Sequence, residues 1–184
     1  TDSLFRHRIE LIPNCGHSID YSLTTPWLKN YKRNPYPHTF LWEDYPMDGQ
    51  RRLGFYNLHV LQRPKASDGL KDTSGEDRDY YEMDIKDNVI RLSVKKVTYQ
   101  TVERDPVYGI DLKFAKSYHP TSGGKWKIYL NDQLVDMNKP ITIFINDRKV
   151  FEGKIVPRME DMITSCMEYF DPCRVFPASV DVAL

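Results

Sequence analysis

From residue 38 to about 155, and again at 178–182, apolar and polar positions alternate with the period of two that marks half-buried strands. His38–Tyr45, Leu53–Gln62, Asn88–Val97, Thr98–Glu103, Gly109–Phe114 and Lys125–Asn131 carry the pattern. In Leu53–Gln62, Phe55 and Asn57 fall on one face and Tyr56, Leu58 and Val60 on the other. Val89, Ile90, Leu92 and Val94 gather around one core face. Ile141–Ile145 is β-branched, Asn146-Asp147 tolerates the positive φ of a tight hairpin, and Val150–Ile155 returns antiparallel. Between these runs, Lys65–Asp87 holds eight acids against four bases and predicts a solvated loop, with Tyr80–Ile85 as the part able to join a strand.

The spacing turns helical near the end. Met159, Met162, Ile163, Cys166, Met167 and Phe170 form one apolar stripe, which predicts a helix over about 158–170 packed on the core by that stripe. Asp171-Pro172 ends it, and Ala178–Val182 closes with a strand. At the other end, Arg8–Pro13 reads as a short strand and Asn14-Cys15-Gly16 as a turn. A short helix follows, with Thr25 as its cap, Pro26 at its first position and Lys29, Lys32 and Arg33 near its C-terminal dipole. Asn34-Pro35-Tyr36-Pro37 is a stiff connector and the candidate boundary. The expected fold is mainly β: an antiparallel β-sandwich-like domain over 38–184 with one packed amphipathic helix, preceded by a strand–loop–helix segment over 1–37.

Composition narrows the function classes. Across 184 residues, 26 basic and 26 acidic side chains cancel, which disfavours nucleic acid and anionic membranes as partners. No apolar run approaches the roughly 20 residues of a membrane span. Three cysteines (Cys15, Cys166, Cys173) give no disulfide framework and no zinc spacing. A Cys166–Cys173 bridge is conceivable, but free buried thiols are the expectation. No metal site and no cofactor motif is read. Thr1–Glu10 carries no targeting signal, so a mature or excised piece of a longer polypeptide is expected.

The sharpest local feature is Asn14-Cys15-Gly16-His17 between strand and helix, a place from which an imidazole can relay protons over a sheet end. Residues 11–20 (Leu-Ile-Pro-Asn-Cys-Gly-His-Ser-Ile-Asp), with Thr25-Pro26-Trp27-Leu28, resemble the end of an α/β-hydrolase domain. A second stretch is similar to the β-rich C-terminal extension of bacterial prolyl-oligopeptidase-like esterases and peptidases. It runs through Asn131–Asp136, Lys139-Pro140-Ile141, Asn146–Phe151 and Phe176–Val182. The resemblance implies that 1–37 is a hydrolase remnant, that 38–184 is its accessory domain, and that His17 is the triad base in an intact parent. It further implies a periplasmic or secreted site and, as partner, the hydrolase domain of the same polypeptide. A triad also needs a Gly-x-Ser-x-Gly elbow and an acid ahead of the histidine, and this sequence has neither. The expected role is therefore non-catalytic.

Other chemistry is weaker. Cys15 and His17 stand too close in one turn to make an attacking dyad. Asp77, Asp79, Glu82, Asp84 and Asp87 lack the ligand order of a calcium loop, and Ser122-Gly123-Gly124-Lys125 lacks phosphate-loop spacing. Tyr21, Trp27, Tyr31, Tyr36, Phe40, Trp42 and Tyr45 crowd one stretch and read first as packing between helix and sheet. The alternative is a free-standing ligand- or carbohydrate-binding module that stacks sugars on exposed Trp27, Tyr36 and Trp42.

Overall fold

The computed structural model describes Pro13, Gly16 and residues 21–46, 49–70 and 78–184. Cys15, His17 and Asp77 lie outside the described residues, as does the strand expected over Arg8–Pro13 except for Pro13 itself. The chain divides into two units, 1–34 and 35–184, the division falling inside the Asn34–Pro37 connector. In the first, α1 (Thr24–Leu28) begins one residue before the expected cap, and Leu23 at its N-cap makes no side-chain bond.

The second unit is mainly β, as the alternation predicts. Its elements are β1 (Thr39–Asp44), β2 (Gly54–Phe55), β3 (Leu58–Gln62), β4 (Lys65–Ala66), β5 (Arg78–Lys86), β6 (Val89–Arg104) and β7 (Asp111–His119). Then come β8 (Thr121–Ser122), β9 (Lys125–Leu130), β10 (Ile141–Ile145), β11 (Arg148–Gly153), α2 (Met159–Tyr169) and β12 (Ala178–Ala183). One sheet runs β1-β5-β6-β10-β11 with β7 also on β6, another runs β12-β9-β3-β2, and β4 pairs β8. Inward side chains of the first sheet (Trp42, Tyr81, Met83, Ile90, Leu92, Val94) and of the second (Leu58, Val60, Trp126, Ile128, Val180, Val182) form one buried cluster. This is the sandwich arrangement: β1, β3, β5, β6, β9, β10 and β12 give inward residues to the shared interior.

Several expectations change. The run Leu53–Gln62 is a hairpin rather than one strand, turning at Tyr56 with φ of 50°. Within the acidic stretch, Tyr80–Ile85 does join a strand, and that strand, β5, is longer than expected at Arg78–Lys86, because Tyr81, Met83 and Ile85 alternate inward and Asp79 is ion-paired there. The two strands expected over 88–103 are one strand of 16 residues. One pairing, β6 with β10, is parallel, since the long connection through β7, β8 and β9 brings the chain back in the same direction. Asn146-Asp147 adopts the expected turn, with φ of 47° and 64°. Asp87-Asn88 makes the same kind of turn between β5 and β6, with φ of 50° and 61°.

Candidate functional site

Helix α2 lies where its periodicity places it, but it faces the opposite way. Its buried residues are Asp161 and Ser165. The apolar stripe points to solvent: Met159 is 71% exposed, Ile163 53%, Met167 65% and Phe170 89%. Cys166 and Cys173 are free but exposed rather than buried. The expectation that the stripe packs on the core is therefore corrected.

Polar pins hold the helix in this orientation. Asp161, Ser165 and Glu168 recur at i, i+4 and i+7, a second stripe opposite the first. Asp161 accepts from Ser179 Oγ on β12 at 2.7 Å and from Arg158 Nε at 2.9 Å. Ser165 Oγ accepts from the Phe176 backbone N–H at 3.0 Å and donates to the Met162 carbonyl at 3.2 Å. Glu168 accepts from His59 Nδ1 on β3 at 2.5 Å and from the Tyr129 hydroxyl on β9 at 3.0 Å. The Arg174 guanidinium lies 3.6 Å over the Tyr169 ring and donates to the Tyr56 carbonyl. Three specific anchors thus fix a helix that hydrophobic burial alone would roll over.

The Glu168 anchor sets a pH dependence. Burial pushes its carboxyl up, but the contacts from His59 and Tyr129 outweigh burial and leave it below its ordinary 4.5. The folded pKa is depressed, so its stabilisation is present above the unfolded value and is lost as pH falls through the folded one. The stability lead of the wild type over Glu168→Gln should therefore narrow steadily in denaturant titrations below about pH 4.5. A lead that stays constant into strong acid would remove Glu168 as the helix anchor.

Phe170 closes the helix at φ of 47°, its N–H bonded to the Cys166 carbonyl at 2.9 Å. This left-handed cap is a glycine position, and a bulky residue there is strained. Phe170→Gly should raise unfolding stability by about 1 kcal/mol, since the ring packs on little. Equal or lower stability in urea titrations would mean that the ring has an intramolecular role.

The residues singled out from sequence fall elsewhere. His17 lies outside the described residues. Trp42 is buried between the sheets, stacked on Tyr81 at 5.1 Å and on Phe55 at 5.6 Å, so it offers no face to a sugar. Tyr36 is half-buried, edge-on to Phe176 at 5.5 Å, and Trp27 contacts Tyr31 in the N-terminal unit at 4.9 Å. The rings on the outer face of the first sheet are also occupied. The Arg78 guanidinium covers Tyr45 at 4.4 Å and Tyr99 at 4.5 Å, and Lys116 lies 5.1 Å over Tyr118. Glu43 neutralises this cluster, accepting from Lys116 at 2.6 Å, Tyr99 at 2.7 Å and Arg78 at 3.1 Å.

Two polar constellations were not legible in the sequence. Asp44, Asp79, Lys96 and His119 are successive register partners across β1, β5, β6 and β7. Arg63 donates to both carboxylates, at 2.7 Å to Asp79, and Lys96 approaches the other Asp79 oxygen at 2.6 Å. This row is charge-paired and closes one end of the sandwich. Beside it, Thr98 Oγ lies 2.9 Å from His119 Nε2, and His119 Nδ1 lies 2.7 Å from Asp68 Oδ2. A hydroxyl–imidazole–carboxylate relay is the order of a proton-transfer triad. Here the hydroxyl is β-branched, half-buried and inside the long strand β6, so the relay ties the loop at Asp68 to the sheet. No protein-family model, curated protein or solved structure matches the chain.

Proposed function

We propose that residues 38–184 are a non-catalytic accessory module that docks onto a folded protein by inserting the outward stripe of α2 into an apolar groove. The observation that carries this reading is Phe170, an aromatic held at positive φ and almost fully exposed. It costs the isolated fold stability and contributes nothing visible to it, which is the pattern of a residue kept for binding. Met159, Ile163 and Met167 extend the same ridge at i, i+4 and i+8, the anchor spacing of helix-in-groove recognition. Burying each such side chain would yield roughly 1.5–3 kcal/mol, and methionine adapts to irregular walls. A membrane surface is a poorer fit, because the stripe is flanked by acidic Glu160 and Asp171 and the adjoining Arg158 is paired with Asp161.

In the same proposal the partner is a hydrolase domain carried by a longer polypeptide, with His17 as its general base and residues 1–37 as its last elements. That part rests on the resemblance of residues 11–28 and 131–182 alone. The carbohydrate-binding alternative has less support, because Trp42 is buried and only Trp27 and Tyr36 of its three rings keep partial exposure.

The test places a photo-crosslinking amino acid at Met167 in the natural full-length polypeptide, with a control at exposed Lys149 on β11. Adducts from position 167, mapping to an apolar groove and lost in Phe170→Gly, are expected. Equal labelling from the two positions, or none from 167, overturns the proposal.

A further inference from the structure

Sulfur is concentrated on the outward face of α2. Met159, Met162 and Met167 are all exposed, and Cys166 stands exposed among them. Elsewhere among the described residues the methionines are shielded: Met83 is buried on β5, and Met137 is half-buried against the core. An accessible thioether is open to oxidation, and its product, the sulfoxide, is polar where the parent was apolar. The consequence for the fold depends on what the sulfurs hold. Were the stripe in the core, oxidation would disrupt its packing. Here α2 is fixed by its other face: Asp161 meets Ser179, Ser165 meets the Phe176 N–H, and Glu168 meets His59 and Tyr129. These bonds run between oxygen and nitrogen atoms, and the one from Ser165 to Met162 ends on the backbone carbonyl rather than on sulfur. Oxidation of the stripe is thereby uncoupled from the anchoring of the helix.

We infer that Met159, Met162 and Met167 are a modification site for hydroperoxides, and that their oxidation switches off the docking of α2 while the module stays folded. The inference rests on the docking reading above and adds its regulation. In the step itself, a lone pair of the thioether sulfur attacks the outer oxygen of the peroxide. The S–O bond forms as the O–O bond breaks, so sulfur gives up an electron pair and the peroxide is reduced. The displaced oxygen leaves as water or an alcohol, taking the proton from the oxygen that was transferred. A dithiol reverses the change through methionine sulfoxide reductase: the sulfoxide oxygen departs as water and the dithiol becomes a disulfide. Each sulfoxide oxygen is an acceptor that an apolar groove cannot satisfy, so burying it costs free energy where the thioether gained it. Met159 opens the helix and Met167 lies in its last turn, so the modification reaches both ends of the stripe.

The experiment uses the natural full-length polypeptide with Cys15, Cys166 and Cys173 replaced by serine, so that these thiols do not compete for the oxidant. A photo-crosslinking amino acid at Ile163 leaves all three sulfurs in place, and hydrogen peroxide is the probe. Peptide mapping by mass spectrometry should show one oxygen gained at each of Met159, Met162 and Met167 at peroxide levels that spare Met83, with unchanged circular dichroism. Crosslinks from position 163 should then fall at least about tenfold and return after treatment with methionine sulfoxide reductase. In a variant with Met159→Leu, Met162→Leu and Met167→Leu, which keeps an apolar stripe without a thioether, peroxide should leave the crosslinks at their starting level. Crosslinks that survive full oxidation of the three sulfurs overturn the inference alone. So does an equal loss in the leucine variant, or a Met83 that oxidises in step with the stripe. Crosslinks already absent before peroxide overturn the docking reading itself, and this inference with it.

Discussion

Asp79→Ala should lower unfolding stability by about 3–5 kcal/mol, the range seen when one partner of a buried ion pair is removed. Asp79 is fully buried, with Lys96 2.6 Å from one carboxylate oxygen and Arg63 2.7 Å from the other. Arg51 approaches the same group at 3.7 Å, so the deletion leaves Arg51, Arg63 and Lys96 gathered where a carboxylate stood. Asp44, the neighbouring carboxylate, is already pushed up by burial despite Arg63 and Arg51, and it cannot balance three cations alone. Asp79→Asn keeps the shape and part of the hydrogen bonding. A loss near that of alanine would assign the effect to charge, and a much smaller loss would assign it to hydrogen bonding. Urea unfolding followed by circular dichroism reads both. A change below about 1 kcal/mol for alanine would show that the row tolerates water and does not seal the sandwich.

Trp126→Ala is the second large effect, at about 3–5 kcal/mol, through lost burial and the cavity left behind. Trp126 sits on the central strand β9, in register with Val60 on β3 and Val182 on β12, and is fully buried. Its ring reaches beneath Gly124, where a Cβ would meet the indole at 2.4 Å and where φ is 101°. Glycine is thus required twice at that position, by the ring and by the backbone. Trp126→Phe should lose less, because part of the ring volume remains. If alanine matched phenylalanine, the site would be collapsing around the deletion instead of holding a cavity. The urea midpoint and slope together separate these outcomes.

How much of this was legible varies by element. The period-two runs gave the strands because inward Leu, Ile and Val must alternate with solvated neighbours on a sheet buried on one face. The Asn146-Asp147 turn was legible because those residues tolerate positive φ. Asp87-Asn88 carried the same signal but stood at the end of an acidic stretch, where the density of charge suggested a solvated loop. Tyr80–Ile85 was legible as strand; its start at Arg78 was not, because the burial of Asp79 depends on Arg63 and Lys96, distant in sequence and brought beside it only by the fold. The same dependence on distant partners concealed the relay of Thr98, His119 and Asp68.

The helix draws the boundary between the two levels. Its existence and its span followed from the sequence alone, since apolar residues at i, i+3, i+4 and i+7 make a stripe only on a helix. Which stripe is buried did not follow. Two stripes are present, one apolar and one of Asp161, Ser165 and Glu168, and local periodicity favours the apolar one for the core. The tertiary structure reverses that choice because Ser179, the Phe176 backbone, His59 and Tyr129 converge from separate strands as partners for the polar stripe. Local patterning was enough to specify a β-rich chain with one amphipathic helix, and the charges balance. Only the assembled sheets decided that the helix faces outward, because hydrogen-bond partners far apart in sequence can select a face only once the strands bring them together.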